Sequence, residues 1–315
     1  MGIIQQPKTY SGRDLETIFF RPMITGENSE QLGIRTLYNM PMPTTIQLWS
    51  PQSDVLQPYS SGWSGGATAV RKQKEIAMTK VKAEVGFSAS DYFNQVYELI
   101  TNSAEVNMDD LTGSELEKAE TEMFRAAIAE SLRVMMWLGN TDADENNLFD
   151  GLLKLIDTYP CKCADMTSDG WYPEIVLEMF NRMWTSADPR LRALKKEGHL
   201  AFFVTSDVYD AYERYLDQFG TDASYSELTT GRRELHYHGI PVIDMNISHL
   251  VPSDSDPRCI LTDRRNLVLA VNTSDYPGAE VRMWYNPDEM ENRQRATFLA
   301  GCELLDEELV VKAIF

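Results

Sequence analysis

The chain has 315 residues, of which 43% are hydrophobic, 10% aromatic and 24% charged; that is enough to bury one large core or two smaller ones, and excludes disorder throughout. Its 48 acidic and 29 basic residues leave a formal charge of −19, which excludes a sequence-independent binder of phosphate backbones. Four cysteines (Cys161, Cys163, Cys259, Cys302) are expected to be reduced, since a chain this long needs no disulfide to fold.

The N-terminus, MGIIQQPKTYSGRDL, has neither a cationic lead nor a long apolar core, so no signal peptide is expected. No apolar run approaches the roughly 20 residues of a membrane span. Residues 1 to about 50 read as an extended arm. A short helix is expected from Asp14 to Phe20, closed by Arg21-Pro22. Pro41, Pro43 and Pro51 exclude a central strand. The apolar set between them (Leu37, Tyr38, Met40, Ile46, Leu48, Trp49) must bury on something, and a neighbouring subunit is the candidate surface.

The glycine- and serine-rich stretch from Ser60 to Gly66 comes next. Thr79, Val81, Ala83, Val85 and Phe87 then alternate with Lys80, Lys82, Glu84 and Gly86, which predicts a strand with one apolar and one mostly charged face. Two extended segments thus flank a tip near residues 60–70, as in a long two-stranded loop. Residues 91–101 suit a short helix. The clearest helix runs from Ser114 to Leu138: Ser114-x-x-Glu117 is a capping box, Leu116, Ala119, Met123 and Ala127 mark an apolar stripe, and Gly139-Asn140 is the stop. It is a rod of roughly 37 Å.

From Asn147 the pattern alternates helices and strands. GLLKLID and PEIVLEMFNRMW are expected helices, LAFFVT (200–205) a buried strand, and Ser206 to Phe219 a capped helix. HGIPVIDMN (238–246) is another strand. The last 57 residues are mostly strand: CILTD, NLVLAVN, AEVRMWYN, RQRATFLAGCEL and VVKAIF.

Three stretches carry apparent chemistry. Gly62-Trp63-Ser64-Gly65-Gly66 matches the G-x-S-x-G nucleophile elbow, but a true elbow lies between a buried strand and a helix, and neither flank fits. DADENNLFDG (142–151) resembles a calcium loop, yet Asn147 stands where the sharp turn needs glycine and Leu153 where a bidentate glutamate is needed. His236-Tyr237-His238 would put two imidazoles on one side of a strand, with no third ligand in register. No catalytic, cofactor-binding or metal-binding residue is assigned.

The order of elements, together with three stretches, resembles the major capsid proteins of tailed bacteriophages, with their HK97-like fold of α+β class. The first is Leu138-Gly139-Asn140 followed by Phe149-Asp150-Gly151-Leu152-Leu153, similar to the family's passage from spine helix into axial domain. The second is His238-Gly239-Ile240-Pro241-Val242-Ile243 followed by ILTDRRNLVLAV. The third runs from Asn292-Arg293-Gln294-Arg295 to Val310-Val311-Lys312-Ala313-Ile314-Phe315, like the family's closing strands.

The resemblance implies an N-terminal arm over 1–46, an E-loop over 47–86, a peripheral domain over 87–149 and 263–302, and an axial domain over 150–262 and 303–315. It implies hexamers and pentamers closing into an icosahedral shell around double-stranded DNA, assembled in the host cytoplasm and resident in the virion. Implied partners are the chain itself, a portal protein, decoration proteins and, because the chain starts directly at the arm, a separate scaffolding protein. Candidate inter-subunit contacts are Trp49, Tyr59, Trp63, Lys72, Lys74, Lys80 and Lys82; some family members crosslink an E-loop lysine to a neighbour's asparagine. Two alternatives stay open: an encapsulin-type compartment, and a cytoplasmic enzyme using Ser64 or the His236/His238 pair.

Overall fold

A computed structural model describes residues 29–40, 44–49, 59, 61, 71–88, 115–219, 225–227, 233–251, 257–272 and 282–315. The helices expected at Asp14–Phe20 and 91–101, and the Ser64 elbow, lie outside the described residues.

Two sheets share one core. The larger has seven strands: β5 (Lys162–Asp165), β6 (Leu200–Val204), β7 (Tyr225–Glu227), β8 (Arg233–Tyr237), β9 (Ile240–Asp244), β10 (Cys259–Asp263) and β14 (Val310–Ile314). Their order is β5-β14-β10-β6-β9-β8-β7, with β5–β14 and β6–β9 parallel and the other pairs antiparallel. All five residues of β6 are buried, as expected of a strand covered on both faces. Leu200, Phe202 and Val204 face the helices at Val176–Ser186 (α3) and Ser206–Phe219 (α4), while Ala201 and Phe203 face the other way. Phe180 of α3 lies 4.9 Å from Phe202 and 5.1 Å from both Tyr212 and Tyr237, ring centre to ring centre.

The opposite face packs on the long helix α1 (Glu115–Leu138) and on α2 (Leu152–Thr158). Trp137, fully buried at the end of α1, lies 5.4 Å from Phe203. The same helix covers the second sheet, of order β1-β11-β13-β12, in which β4 also pairs with β13. Here β1 is Arg35–Leu37, β4 Thr79–Ser88, β11 Leu267–Val271, β12 Arg282–Asn286 and β13 Glu291–Leu304. The 14-residue β13 spans the sheet, pairing with β4 and β12 through its first part and with β11 through its last.

Two sequence expectations need correction. The alternating strand at 79–87 exists as β4, but it does not flank the loop tip: it pairs with β13 along ten residues. The loop is instead an antiparallel ribbon of β2 (Thr44–Trp49) and β3 (Arg71–Ile76). Alternation reports which face is buried, and says nothing of which strand lies alongside. Second, β8 ends at Tyr237, and His238 and Gly239 take φ of 53° and 76° as the two-residue turn into β9. His238 therefore leaves the strand, and the two imidazoles do not share a side. The Nδ1 of His236 lies 3.1 Å from the Glu234 carbonyl oxygen instead.

Candidate assembly surfaces

The ribbon is held at its base. Ile76 of β3 and the following Met78 are buried against Val268 and Ala270 on the face of β11 turned away from α1, with Ile46, Leu37 and Met40 alongside. Gly301 of β13 lets the chain pass: a Cβ there would stand 2.1 Å from the Ala77 carbonyl oxygen. Lys74 makes the second attachment. Its Nζ lies 3.5 Å from Glu303 Oε1 and 4.0 Å from the centre of the Tyr159 ring, and Tyr159 donates its hydroxyl to the same carboxylate at 2.9 Å. Burial works against the ammonium, but Glu303 and Tyr159 outweigh it and raise the Lys74 pKa.

Tyr59 is 96% exposed, the most exposed of the large hydrophobic side chains among the described residues. Trp49 and Lys72 are placed by backbone pairing alone, opposite Arg71 and Leu48. Trp63 lies outside the described residues. Lys80 and Lys82 are exposed on β4; Lys82 pairs with Glu84 at 2.7 Å. Of the predicted contact residues, then, Lys74 is engaged within its own chain, and Tyr59, Lys80 and Lys82 face solvent.

The passage from α1 to α2 is a backbone crossing. The Gly139 amide donates to Met135 and the Gly151 amide to the Gly139 carbonyl. A Cβ on Gly139 would lie 2.4 Å from the Phe149 carbonyl oxygen, and one on Gly151 would lie 2.6 Å from the Gly139 nitrogen. The calcium-like loop between them is closed by a cation from the chain itself: Lys154 Nζ reaches Asp142 and Asp150 at 2.7 and 2.8 Å. Burial pushes the Asp150 carboxyl up, but hydrogen bonds from Lys154 and Thr141 overcome this and lower its pKa.

Sequence reading missed Arg133. It is 1% exposed in the C-terminal part of α1, donating through Nη1 to the Met245 and Asn246 carbonyls at 2.9 and 3.2 Å and through Nε and Nη2 to Glu130. It ties the long helix to the loop after β9. A lone arginine on an apolar stripe is the only sequence signal for it. Among the described residues no group of three or more histidine, cysteine or carboxylate side chains converges as a metal site, and no helix is long and apolar enough to cross a membrane. Burial raises the Cys161 thiol to about 11.

No protein-family model matches the sequence, and no curated protein matches it. Solved structures match its fold. The capsid of an empty GTA particle is similar over 99% of this chain and 94% of its own, with a TM-score of 0.58 at 11% identity. The capsid of Myoviridae phage XM1 is similar over 98% and 99%, with a TM-score of 0.51 at 11% identity. The holo-SrpI encapsulin complex from Synechococcus elongatus PCC 7942 is similar over 88% and 84%, with a TM-score of 0.51 at 12% identity.

Proposed function

Because the chain has the HK97-like fold that phage capsids and an encapsulin share, we propose that it is the major capsid protein of a tailed phage. It would assemble into hexamers and pentamers of an icosahedral shell around double-stranded DNA, form in the host cytoplasm and reside in the virion. One observation carries this reading beyond fold: the ribbon is anchored at its base and offers Tyr59 to solvent. Two-stranded ribbons are marginal in water and gain stability from a partner surface. Many copies repeating one such contact supply the buried area of a closed assembly.

On this reading residues up to 43 are the arm, with β1 joining the five-stranded sheet, β2–β3 the E-loop, α1 with that sheet the peripheral domain, and the seven-stranded sheet with its helices the axial domain. Scaffolding, portal and decoration proteins are the expected partners. We assign the chain no catalytic role, and Ser64→Ala is expected to leave assembly unchanged.

Electron microscopy and sedimentation of the purified full chain test the proposal. Closed shells, tubes, or rings of five and six are expected. A uniformly small, compact species, with a scaffolding partner also present, would overturn it. The encapsulin likeness supports a second reading, a compartment around protein cargo. Shells holding DNA or nothing favour the capsid, and shells packed with a foreign enzyme favour the compartment.

A further inference from the structure

Strand register decides what the outer face of the β4–β13–β12 sheet displays. Glu84 stands opposite Arg295, Gly86 opposite Arg293, and Lys82 opposite Thr297. On the other flank Arg282 stands opposite Arg295 and Trp284 opposite Arg293. Because side chains alternate along a strand, these residues and Lys80 share the face turned away from α1, while Val81, Ala296 and Phe298 pack beneath it in the core.

The result is unusual for this chain. Five cations (Lys80, Lys82, Arg282, Arg293, Arg295) sit among three carboxylates (Glu84, Glu289, Glu291) in a protein of formal charge −19. Among them Trp284 is 41% exposed. It borders a hollow of about 310 Å³ lined also by Glu84, Gly86, Glu291 and Arg293. Gly86 contributes no side chain to it, and a Cβ there would come within 3.3 Å of Glu291 Oε2.

We propose that this face docks the acid-rich surface of a second copy of the chain, with one apolar side chain of that copy entering the hollow beside Trp284. Tryptophan and arginine are the residues that most often carry the energy of protein–protein contacts. Duplex DNA fits less well, because its outer surface is a repeating row of phosphates with no apolar side chain to enter the hollow beside Trp284. A protein surface supplies both the carboxylates that the cations attract and the apolar group that the hollow admits. The proposal rests on the shell reading for its supply of copies, each carrying the complementary excess of acid.

The test uses the full chain with Trp284→Ala, with Arg293→Glu/Arg295→Glu, and with Lys80→Glu/Lys82→Glu, whose two positions are exposed and spare the core. Circular dichroism confirms that each variant folds. Sedimentation velocity and microscopy then follow assembly from about 50 mM to about 1 M NaCl. The expected result is that both charge reversals weaken self-association about tenfold or more, and that wild-type association falls as salt rises. Folded variants that assemble like the wild type at every salt concentration would overturn the surface and leave the shell reading standing. A wild-type chain that stays monomeric throughout, with a scaffolding partner also present, would overturn both. A gel shift with duplex DNA completes the test: DNA binding lost in the variants, with self-association unchanged, would give the face to nucleic acid and overturn the proposal.

Discussion

The seven-stranded sheet and the β2–β3 ribbon stand at opposite ends of self-sufficiency. The sheet is covered on both faces by its own helices, and its centre is a cluster of aromatic rings around Phe180 and Phe202. Among the described residues the ribbon meets the body through Ile46, Ile76 and Lys74, with Met78 just beyond it, and Tyr59 is open to water. One region satisfies its apolar surface within the chain, and the other leaves Tyr59 for something outside. Stability and assembly should accordingly respond to different substitutions.

The largest effect is expected inside the sheet. Phe202→Ala removes a ring packed between Phe180 and Tyr237 and should cost about 3–5 kcal/mol in chemical denaturation. A cost under about 1 kcal/mol would mean that this cluster is not the centre of stability. Next is the seam between ribbon and body. Gly301→Ala forces a methyl group against the Ala77 carbonyl and should cost about 2 kcal/mol or more. Hydrogen exchange should then quicken in 71–78 before it quickens in 200–204; the reverse order would break the contrast between the two regions.

A smaller effect depends on pH. Asp263, at the step from β10 to β11, accepts hydrogen bonds from the backbone and guanidinium of Arg265. Burial pushes its carboxyl up, Arg265 outweighs burial, and the folded pKa lies below the unfolded one. Its contribution is therefore present above the usual aspartate value of about 3.9 and lost as pH falls below it. Asp263→Asn should flatten the stability curve in that acid window, and an unchanged curve would remove Asp263 from the account. Smallest of all, Tyr59→Ala should shift unfolding by no more than about 0.5 kcal/mol while reducing assembly yield. An equal loss in both would place Tyr59 in the core of its own subunit.

The same contrast explains what could be read from the residues alone. The capping box at Ser114 and the stop at Gly139 located α1 closely, since capping is local chemistry. The buried run at 200–205 emerged as β6 for the same reason. Partners distant along the chain were not legible. Nothing near Lys74 announces Tyr159 or Glu303, and the alternation in β4 carries no mark of β13. The short β5, on residues noticed only for their cysteines, becomes a strand through its parallel pairing with β14. The sequence shows Lys80 and Lys82 on β4 alone; strand pairing lays Arg293 and Arg295 of β13 beside them, and Arg282 and Trp284 of β12 beyond.

The crossing of Gly139 and Gly151 has a consequence for how such chains diverge. Each would-be methyl group collides with main-chain atoms, not with a side chain that could shrink in compensation. No second substitution elsewhere can make room, so the two positions behave as one indivisible character. In a library randomised at both, glycine should return at both together, while exposed loop positions such as Asp144 and Glu145 drift freely.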